Sequence, residues 1–331
     1  MEFLNISNSN STNASSLWYS SATFRISVAI VYLLLCLTGI LGYVLYCYVV
    51  VYNYRVLSNP FYTFTLSMAI PDCFQNLINL FYVVPVMILT KSGNGAALAP
   101  LWVRDTLGFV CSYVWFIVCA HMVLIACNRV ISLKWPLIYD TLFSKHRVTG
   151  LLIGAYSTSL IIPAVTYYCS CRLEFDTFAW GMACDTEGKC EAVVSLSDST
   201  WTNAQIVFVL LCDALILAYV YKKGQKIQPQ ISANETSVQQ RRRFKREKAL
   251  ILQFSSVAVI LIIGQILFWC LPSIIDLGHI PPEVAGFISM ILGILTVSLN
   301  PFLYFAFSSE IRSRLLKAKP THVTQNGTRI S

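Results

Sequence analysis

The feature that most constrains this chain is a set of seven long segments almost without charge. Five of them have cores of at least 23 residues without Asp, Glu, Lys or Arg, and the other two hold one carboxylate each, Asp72 and Asp213. A helix of roughly 20 apolar residues crosses the hydrocarbon core of a bilayer, and every segment is long enough. These segments, called spans 1 to 7 below, are predicted near residues 26–52, 61–90, 105–130, 148–169, 201–222, 249–276 and 283–307.

The overall composition excludes a soluble alternative. The chain has 331 residues, of which 56% are hydrophobic and 12% charged, and its mean hydropathy is +0.62. A soluble protein carries about twice that charged fraction. A soluble helical core would also need polar faces that recur with helical period, and these segments lack them. We therefore predict an all-α membrane protein, a bundle of seven transmembrane helices.

The distribution of basic residues predicts the orientation of the bundle. Of the 24 Lys and Arg, 19 fall on one side of the seven spans and five on the other. Because cytoplasmic loops carry the excess of basic residues, the N-terminus is expected outside the cell and the C-terminus inside. This asymmetry explains the net charge of +8 without a nucleic-acid partner. We expect a multi-pass protein of the plasma membrane, with the lipid bilayer as its surroundings.

The N-terminal tail, residues 1–25, agrees with an outside position. Asn5, Asn10 and Asn13 each begin an Asn-x-Ser/Thr sequence, the acceptor for N-glycosylation in a lumenal segment. No apolar stretch precedes this tail, so no cleavable signal peptide is expected. Span 1 is expected to serve as an uncleaved signal anchor.

The connections between the spans are short, with two exceptions. The outer loop near 169–200 is acidic and carries Cys171, Cys184 and Cys190, which are candidates for a disulfide bond on the oxidising side. The inner loop, 222–248, is strongly basic. No internal repeat appears, which disfavours a transporter, and no common enzymatic motif is present, so neither an enzyme nor a cofactor is predicted.

Placing a polar residue in hydrocarbon costs free energy, so each polar residue inside a span is a candidate for a functional or structural role. Asp72 of span 2 shares one helical face with Asn76 and Asn79. This face predicts a buried polar cluster. The cluster would either hold a sodium ion or waters, or form hydrogen bonds that join the helices. Asp213 of span 5 is expected to pair with His121 of span 3 or to face a water path.

Two prolines mark points where spans can bend. Pro301 stands in the sequence Asn300-Pro301-Phe302-Leu303-Tyr304 near the end of span 7, and Pro272 follows Trp269 in span 6. Proline removes one backbone hydrogen bond, and Asn300 could satisfy the freed carbonyl or reach Asp72.

These residues resemble the motifs of rhodopsin-like G protein-coupled receptors. Asn128-Arg129-Val130 resembles the family's Asp/Glu-Arg-Tyr, Asp72 matches its carboxylate in the second helix, 268–272 is similar to its Cys-Trp-x-Pro, and Asn300–Tyr304 is a complete Asn-Pro-x-x-Tyr. The residues from 308 look like its short amphipathic surface helix, followed by a cytoplasmic tail. More narrowly, Asn128-Arg129, Trp135-Pro136, 142–144 and the run 171–184 resemble the nematode serpentine chemoreceptors of class X.

The chain also departs from the superfamily pattern. Tyr43 follows Gly42 where the family usually has Asn, and Arg104 stands where it usually has the disulfide cysteine of the third helix. The nearest cysteine, Cys111, lies about two turns deeper, so a bridge within the outer loop is at least as favoured as the usual one.

The resemblance implies a mechanism. Arg129 would face the cavity for a heterotrimeric G protein, and ligand binding outside would swing span 6 outward about Pro272. Because Asn128 is uncharged, the usual acid–arginine pair is absent, and ligand-free signalling is expected.

The resemblance also places a ligand pocket, which is largely apolar and aromatic. Cys111 occupies the position of the amine-binding Asp of aminergic receptors, and Ile294 that of the retinal lysine, which disfavours monoamines and excludes covalent retinal. We expect a receptor for a small chemosensory molecule, with a neuropeptide receptor, or a transporter or channel, as alternatives. The residues expected to line the pocket are Cys111, Trp115, Phe116, Ser273, Ile274 and Met290.

Overall fold

The computed structural model shows the predicted helix bundle. It describes residues 22–53, 60–89, 99–169, 172–176, 181–185, 200–227 and 282–317, and in span 6 residues 256, 259–260, 262–264, 266–267, 270 and 274. Within this described part, six helices are long and apolar enough to cross a membrane. The described residues of span 6 are all helical. The predicted fold class is confirmed by this architecture and by the comparisons below.

The first three spans are long helices that differ in regularity. Span 1 runs over Ala22–Tyr52, span 2 over Pro60–Leu89 and span 3 over Leu101–Lys134. Span 2 contains one π-helical turn, Asn79–Val83. Pro85 follows two residues later, and because its ring crowds the preceding turn and it lacks an N–H, the backbone widens there.

The remaining spans and two short helices complete the bundle. Span 4 comprises Lys145–Ser159 and Ile161–Tyr168, separated by a turn at Leu160. Span 5 is Thr200–Ile227 and span 7 is Pro282–Phe307. The loop helix Pro136–Leu142 follows span 3, and the surface helix Ser309–Lys317 follows span 7.

The surface helix is capped at its N-terminus and packs against the bundle. The Ser308 hydroxyl accepts a hydrogen bond from the Ile311 amide at 3.3 Å, which is the usual side-chain cap of a helix N-terminus. Ile311 is buried, and Arg314 donates to the Asn53 side chain just after span 1 at 3.1 Å. The short amphipathic helix predicted after span 7 is therefore present and docked.

A β-hairpin that the sequence did not predict lies in the outer loop. Strands β1, Arg172–Asp176, and β2, Gly181–Asp185, pair antiparallel with Leu173 opposite Cys184. Strand β1 packs against span 3 and β2 against span 7. Phe175 of β1 is buried in the apolar cluster that Tyr32 of span 1 and Met290 of span 7 also join.

Candidate functional site

The buried polar cluster is centred on Asp72, which is completely buried. Its Oδ2 accepts a hydrogen bond from the Asn300 side chain at 2.9 Å and a second from the Tyr43 hydroxyl. Spans 1, 2 and 7 therefore converge on one carboxylate oxygen. Of the two partners open to Asn300, the structure shows the bond to Asp72.

A second bond extends the cluster toward the outer end. The Ser298 hydroxyl of span 7 donates to Asn76 Oδ1 of span 2 at 3.0 Å. Gly39 of span 1 faces this pair, because a Cβ there would lie 2.5 Å from Ser298 Oγ and 2.9 Å from Asn76 Nδ2. The close approach explains why a residue without a side chain stands at this position.

Several buried polar atoms of the cluster remain available for a ligand. Among the described residues, no hydrogen-bond partner is found for Asp72 Oδ1, Asn300 Oδ1, Asn79 Oδ1 or Asn76 Nδ2. Such atoms are usually satisfied by ordered water or an ion. One carboxylate oxygen together with amide oxygens is a donor set that suits a small hard cation. The residues present therefore fit either a sodium ion or water.

Below Asp72, toward the predicted cytoplasmic end, two tyrosines stack. The rings of Tyr46 in span 1 and Tyr304 in span 7 have centroids 4.8 Å apart. The Tyr46 hydroxyl lies 2.5 Å from Thr65 Oγ1 of span 2, and the Tyr304 hydroxyl points at the Met68 sulfur at 3.9 Å. The tyrosine of the Asn-Pro-x-x-Tyr motif is thus buried between spans 1 and 2.

The Asn128-Arg129 pair lies at the predicted cytoplasmic end of span 3. The Arg129 guanidinium sits 3.8 Å from the ring centroid of Phe61 in span 2, a cation–π contact. Asn128 is buried and donates to the Tyr139 hydroxyl of the loop helix at 3.1 Å. Burial raises the pKa of the Tyr139 hydroxyl, and this hydroxyl accepts the bond from Asn128. Asn128 thus tethers the loop helix.

The expected pairing of Asp213 with His121 is wrong. The His121 ring nitrogens lie 2.9 Å from the Ile117 carbonyl oxygen and 3.0 Å from Ser67 Oγ, and its ring packs edge-on against Tyr156 of span 4. His121 therefore faces spans 2 and 4, whereas Asp213 lies on span 5. Asp213 is buried, and its Oδ1 has no hydrogen-bond partner within the part of the chain that is described.

The residues expected to line the ligand pocket do not all share one cavity. Cys111 is a buried thiol contacted by Gln75 Nε2 at 3.8 Å, and Met290 packs with spans 1 and 2 and with Phe175 of the hairpin. Phe116 is buried and Ile274 half-buried. Trp115 lines a separate, partly open cleft between spans 3, 5 and 6. The other described residues that line this cleft are Cys119, Met122, Gln205, Ile206, Val209, Leu210 and Ile262.

Some predicted residues lie outside the described part of the chain. These are Trp269, Pro272 and Ser273 of span 6, Cys171 and Cys190 of the outer loop, and the glycosylation candidates Asn5, Asn10 and Asn13. For Cys184 the structure gives the backbone position in β2.

Sequence reasoning missed four residues of the site, namely Tyr46, Ser298, Tyr139 and Phe61. The spacing of Tyr43 and Tyr46 could have placed both on one helical face, since residues three apart are neighbours on a helix. Phe61 and Tyr139 carried no such signal, because contacts between distant segments are not encoded in local spacing.

Comparison with solved structures identifies the fold. The fold matches the crystal structure of squid rhodopsin with a TM-score of 0.75, covering 90% of this chain and 86% of that chain at 13% sequence identity. At this identity the match establishes the seven-helix fold alone. No curated protein matches the sequence.

The family follows from a match of the sequence itself. The model of the family described as serpentine type 7TM GPCR chemoreceptor Srx matches residues 33–307. This covers most of the chain, so the chain belongs to that family of multi-pass membrane receptors. The family resemblance drawn from the motifs is confirmed.

Proposed function

We propose that this protein is a chemosensory receptor that binds a small extracellular molecule and activates a heterotrimeric G protein. The observation that carries the proposal is the hydrogen bond from Asn300 to Asp72. It joins the polar residue of span 2 to the proline-containing segment of span 7. A switch needs an element with two arrangements, and a helix weakened by proline and held by a few buried bonds is such an element.

The predicted cytoplasmic end supports the G-protein step. Arg129 rests on the Phe61 ring in this conformation. Outward movement of span 6 about Pro272 would open the cavity beside Arg129, and a G protein would bind the open form preferentially. Because Asn128 bonds to Tyr139 and carries no charge, it forms no ion pair with Arg129, and some ligand-free signalling is expected.

The predicted outer end favours a small apolar ligand. Cys111, Phe116 and Met290 are buried, and apolar or aromatic linings with few polar groups are typical of small-molecule sites. The cleft beside Trp115 has the same character, and Gln205 is the one amide among its described lining residues. A neuropeptide, the alternative ligand, would instead engage the acidic outer loop.

We further propose that the Asp72 cluster holds a sodium ion or ordered water. The support is the group of buried oxygens without a hydrogen-bond partner in the described part of the chain. We also propose that the receptor resides in the plasma membrane with its N-terminus outside, glycosylated at Asn5, Asn10 and Asn13, and with a disulfide among Cys171, Cys184 and Cys190.

The function is tested by replacing Arg129. The full chain is expressed with a promiscuous G protein and challenged with a panel of small organic molecules. Arg129→Ala is expected to abolish both ligand-free and ligand-stimulated signalling while the protein still reaches the cell surface. Arg147→Ala is the matched control, because Arg147 is an exposed basic residue at the same end of the bundle. Signalling that survives Arg129→Ala, or an ion flux that does not depend on Arg129, would contradict the proposal.

A further inference from the structure

We propose that contacts of Gly42, Tyr43 and Tyr46 in span 1 restrain the Asn300–Tyr304 segment of span 7 in the observed arrangement, and that this arrangement is the resting state of the receptor. The inference deepens the receptor function proposed above and rests on it. It gives positioning roles to residues of span 1 that act through spans 2 and 7.

Three neighbouring residues of span 1 face three parts of one segment of span 7. Tyr43 donates to the same Asp72 oxygen that accepts from Asn300. A Cβ on Gly42 would lie 2.9 Å from Cγ of Pro301, so the proline ring rests directly on the backbone of span 1.

The third contact lies one turn further along span 1. The ring of Tyr46 stacks on Tyr304 and also meets Phe305 edge-on at 6.3 Å between centroids. The proline and the tyrosine of the motif therefore pack directly on span 1, and the asparagine shares its acceptor, Asp72 Oδ2 of span 2, with Tyr43.

The location of these contacts matters because Pro301 is where span 7 bends most easily. Proline removes the backbone hydrogen bond that would stiffen the helix at that point. The most deformable part of span 7 thus faces a close approach of span 1. A movement of Asn300–Tyr304 away from spans 1 and 2 would break the hydrogen bond from Asn300 to Asp72 and the ring contact of Tyr304 with Tyr46 together.

Span 1 is itself firmly placed, so it can act as the fixed side of the restraint. Tyr43 and Tyr46 are completely buried, and Tyr46 is bonded to Thr65 of span 2. At the other end of span 7, the Tyr32 hydroxyl donates to the Phe287 carbonyl at 3.3 Å. Span 7 is thereby held to span 1 at both ends, while only the end near Pro301 is weakened.

The decisive variant is Tyr46→Leu, which keeps an apolar side chain but removes the ring that stacks on Tyr304. Loss of a buried aromatic pair shifts an equilibrium by about 2- to 10-fold. Ligand-free signalling per receptor at the cell surface is expected to rise by that factor. Tyr48→Leu is the matched control, since Tyr48 stacks on Tyr52 on the same helix but is 54% exposed toward the bilayer. It should leave signalling unchanged.

A second variant and a second readout separate the restraint from the receptor function. Tyr43→Phe removes one oxygen and retains the ring, so folding is preserved while the bond to Asp72 is lost. Hydrogen exchange of the backbone amides of 302–307 is measured on the purified full chain in lipid nanodiscs. Both Tyr46→Leu and Tyr43→Phe are expected to speed this exchange relative to Tyr48→Leu.

The outcomes are distinguishable. Equal exchange in all three variants overturns the restraint, whatever the signalling assay shows. Faster exchange in Tyr46→Leu and Tyr43→Phe supports the restraint. If neither these variants nor the wild-type protein signals, the lack of signalling refutes the receptor function and leaves the restraint supported. Faster exchange together with raised, Arg129-dependent signalling supports both.

Discussion

At the scale of single residues, Tyr43 supplies the hydrogen bond that connects span 1 to the polar cluster around Asp72. The superfamily usually carries Asn at this place, and here the longer phenol of Tyr43 donates to Asp72 directly. Hydrogen bonds to a carboxylate are stronger than those between neutral groups, so this bond links span 1 firmly to the site.

Asn128 offers a test of the missing acid–arginine pair. Asn128→Asp would place a carboxylate next to Arg129, while its oxygen could still accept a hydrogen bond from the Tyr139 hydroxyl. Hydrogen bonds to charged groups are stronger than those between neutral groups, so the variant is expected to stabilise the resting arrangement. Ligand-free signalling should fall by about 10-fold or more. The measurement is G-protein activation without ligand, normalised to surface expression.

The control for this change is Tyr139→Phe, which breaks the tether to the loop helix without adding charge. It should not lower ligand-free signalling. A wild-type receptor that is silent without ligand at normal surface expression would contradict the premise that the neutral Asn128 weakens the resting state.

At the scale of secondary-structure elements, spans 1 and 7 pack closely because glycines of span 1 face span 7. Membrane helices associate through close packing and hydrogen bonds rather than through the hydrophobic effect, so small residues at an interface matter. Gly39 meets Ser298 and Gly42 meets Pro301, which brings the two backbones together at two successive points. The polar contacts of the site depend on this approach.

Gly39→Ala is expected to destabilise the protein by about 1–3 kcal/mol, because the added methyl would collide with Ser298 and Asn76 in a packed interior. Thermal unfolding of the detergent-solubilised protein, followed by intrinsic tryptophan fluorescence, would show a lower midpoint. Gly150→Ala in span 4 is the matched control, since nothing lies within 4 Å of a Cβ there. An equal midpoint for both variants would show that spans 1 and 7 can move apart to accommodate the added methyl group without loss of stability.

At the scale of the whole molecule, the excess of basic residues on one side makes a direct prediction of topology. An epitope tag at the N-terminus should be accessible to antibody in intact cells, and a tag at the C-terminus only after permeabilisation. Replacing Asn5, Asn10 and Asn13 together with Gln should remove the mass shift produced by glycosidase treatment. A C-terminal tag detected on intact cells would reverse the orientation.

The sequence predicted the number of helices and the identity of several site residues, because both depend on local chemistry. Charge-free segments must lie in the bilayer, and Asp72 or Arg129 can be recognised within them as costly exceptions. Helix ends were less accurate. Span 3 was predicted near 105–130 and extends over Leu101–Lys134, because a helix can continue beyond the hydrocarbon region.

The partners of the site residues were less predictable. His121 was expected opposite Asp213 and instead faces Ser67, because the rotation of span 3 about its axis is set by packing with all of its neighbours. The β-hairpin was not foreseen, since its stability depends on the surfaces of spans 3 and 7 that it covers. Predicted pocket residues such as Trp115 and Met290 were likewise divided between two regions.

The sequence alone therefore determined that the chain spans a membrane seven times and carries the motifs of its receptor family. Those properties follow from the free energy of transferring each residue from water to lipid and from short-range spacing along a helix. Only the tertiary structure decided that Tyr46 of span 1 would stack on Tyr304 of span 7, and that Asp72 would accept hydrogen bonds from both Tyr43 and Asn300. The ring contact and the bond from Asn300 join residues more than 200 positions apart, and they exist only where the packing of whole helices brings these residues into contact.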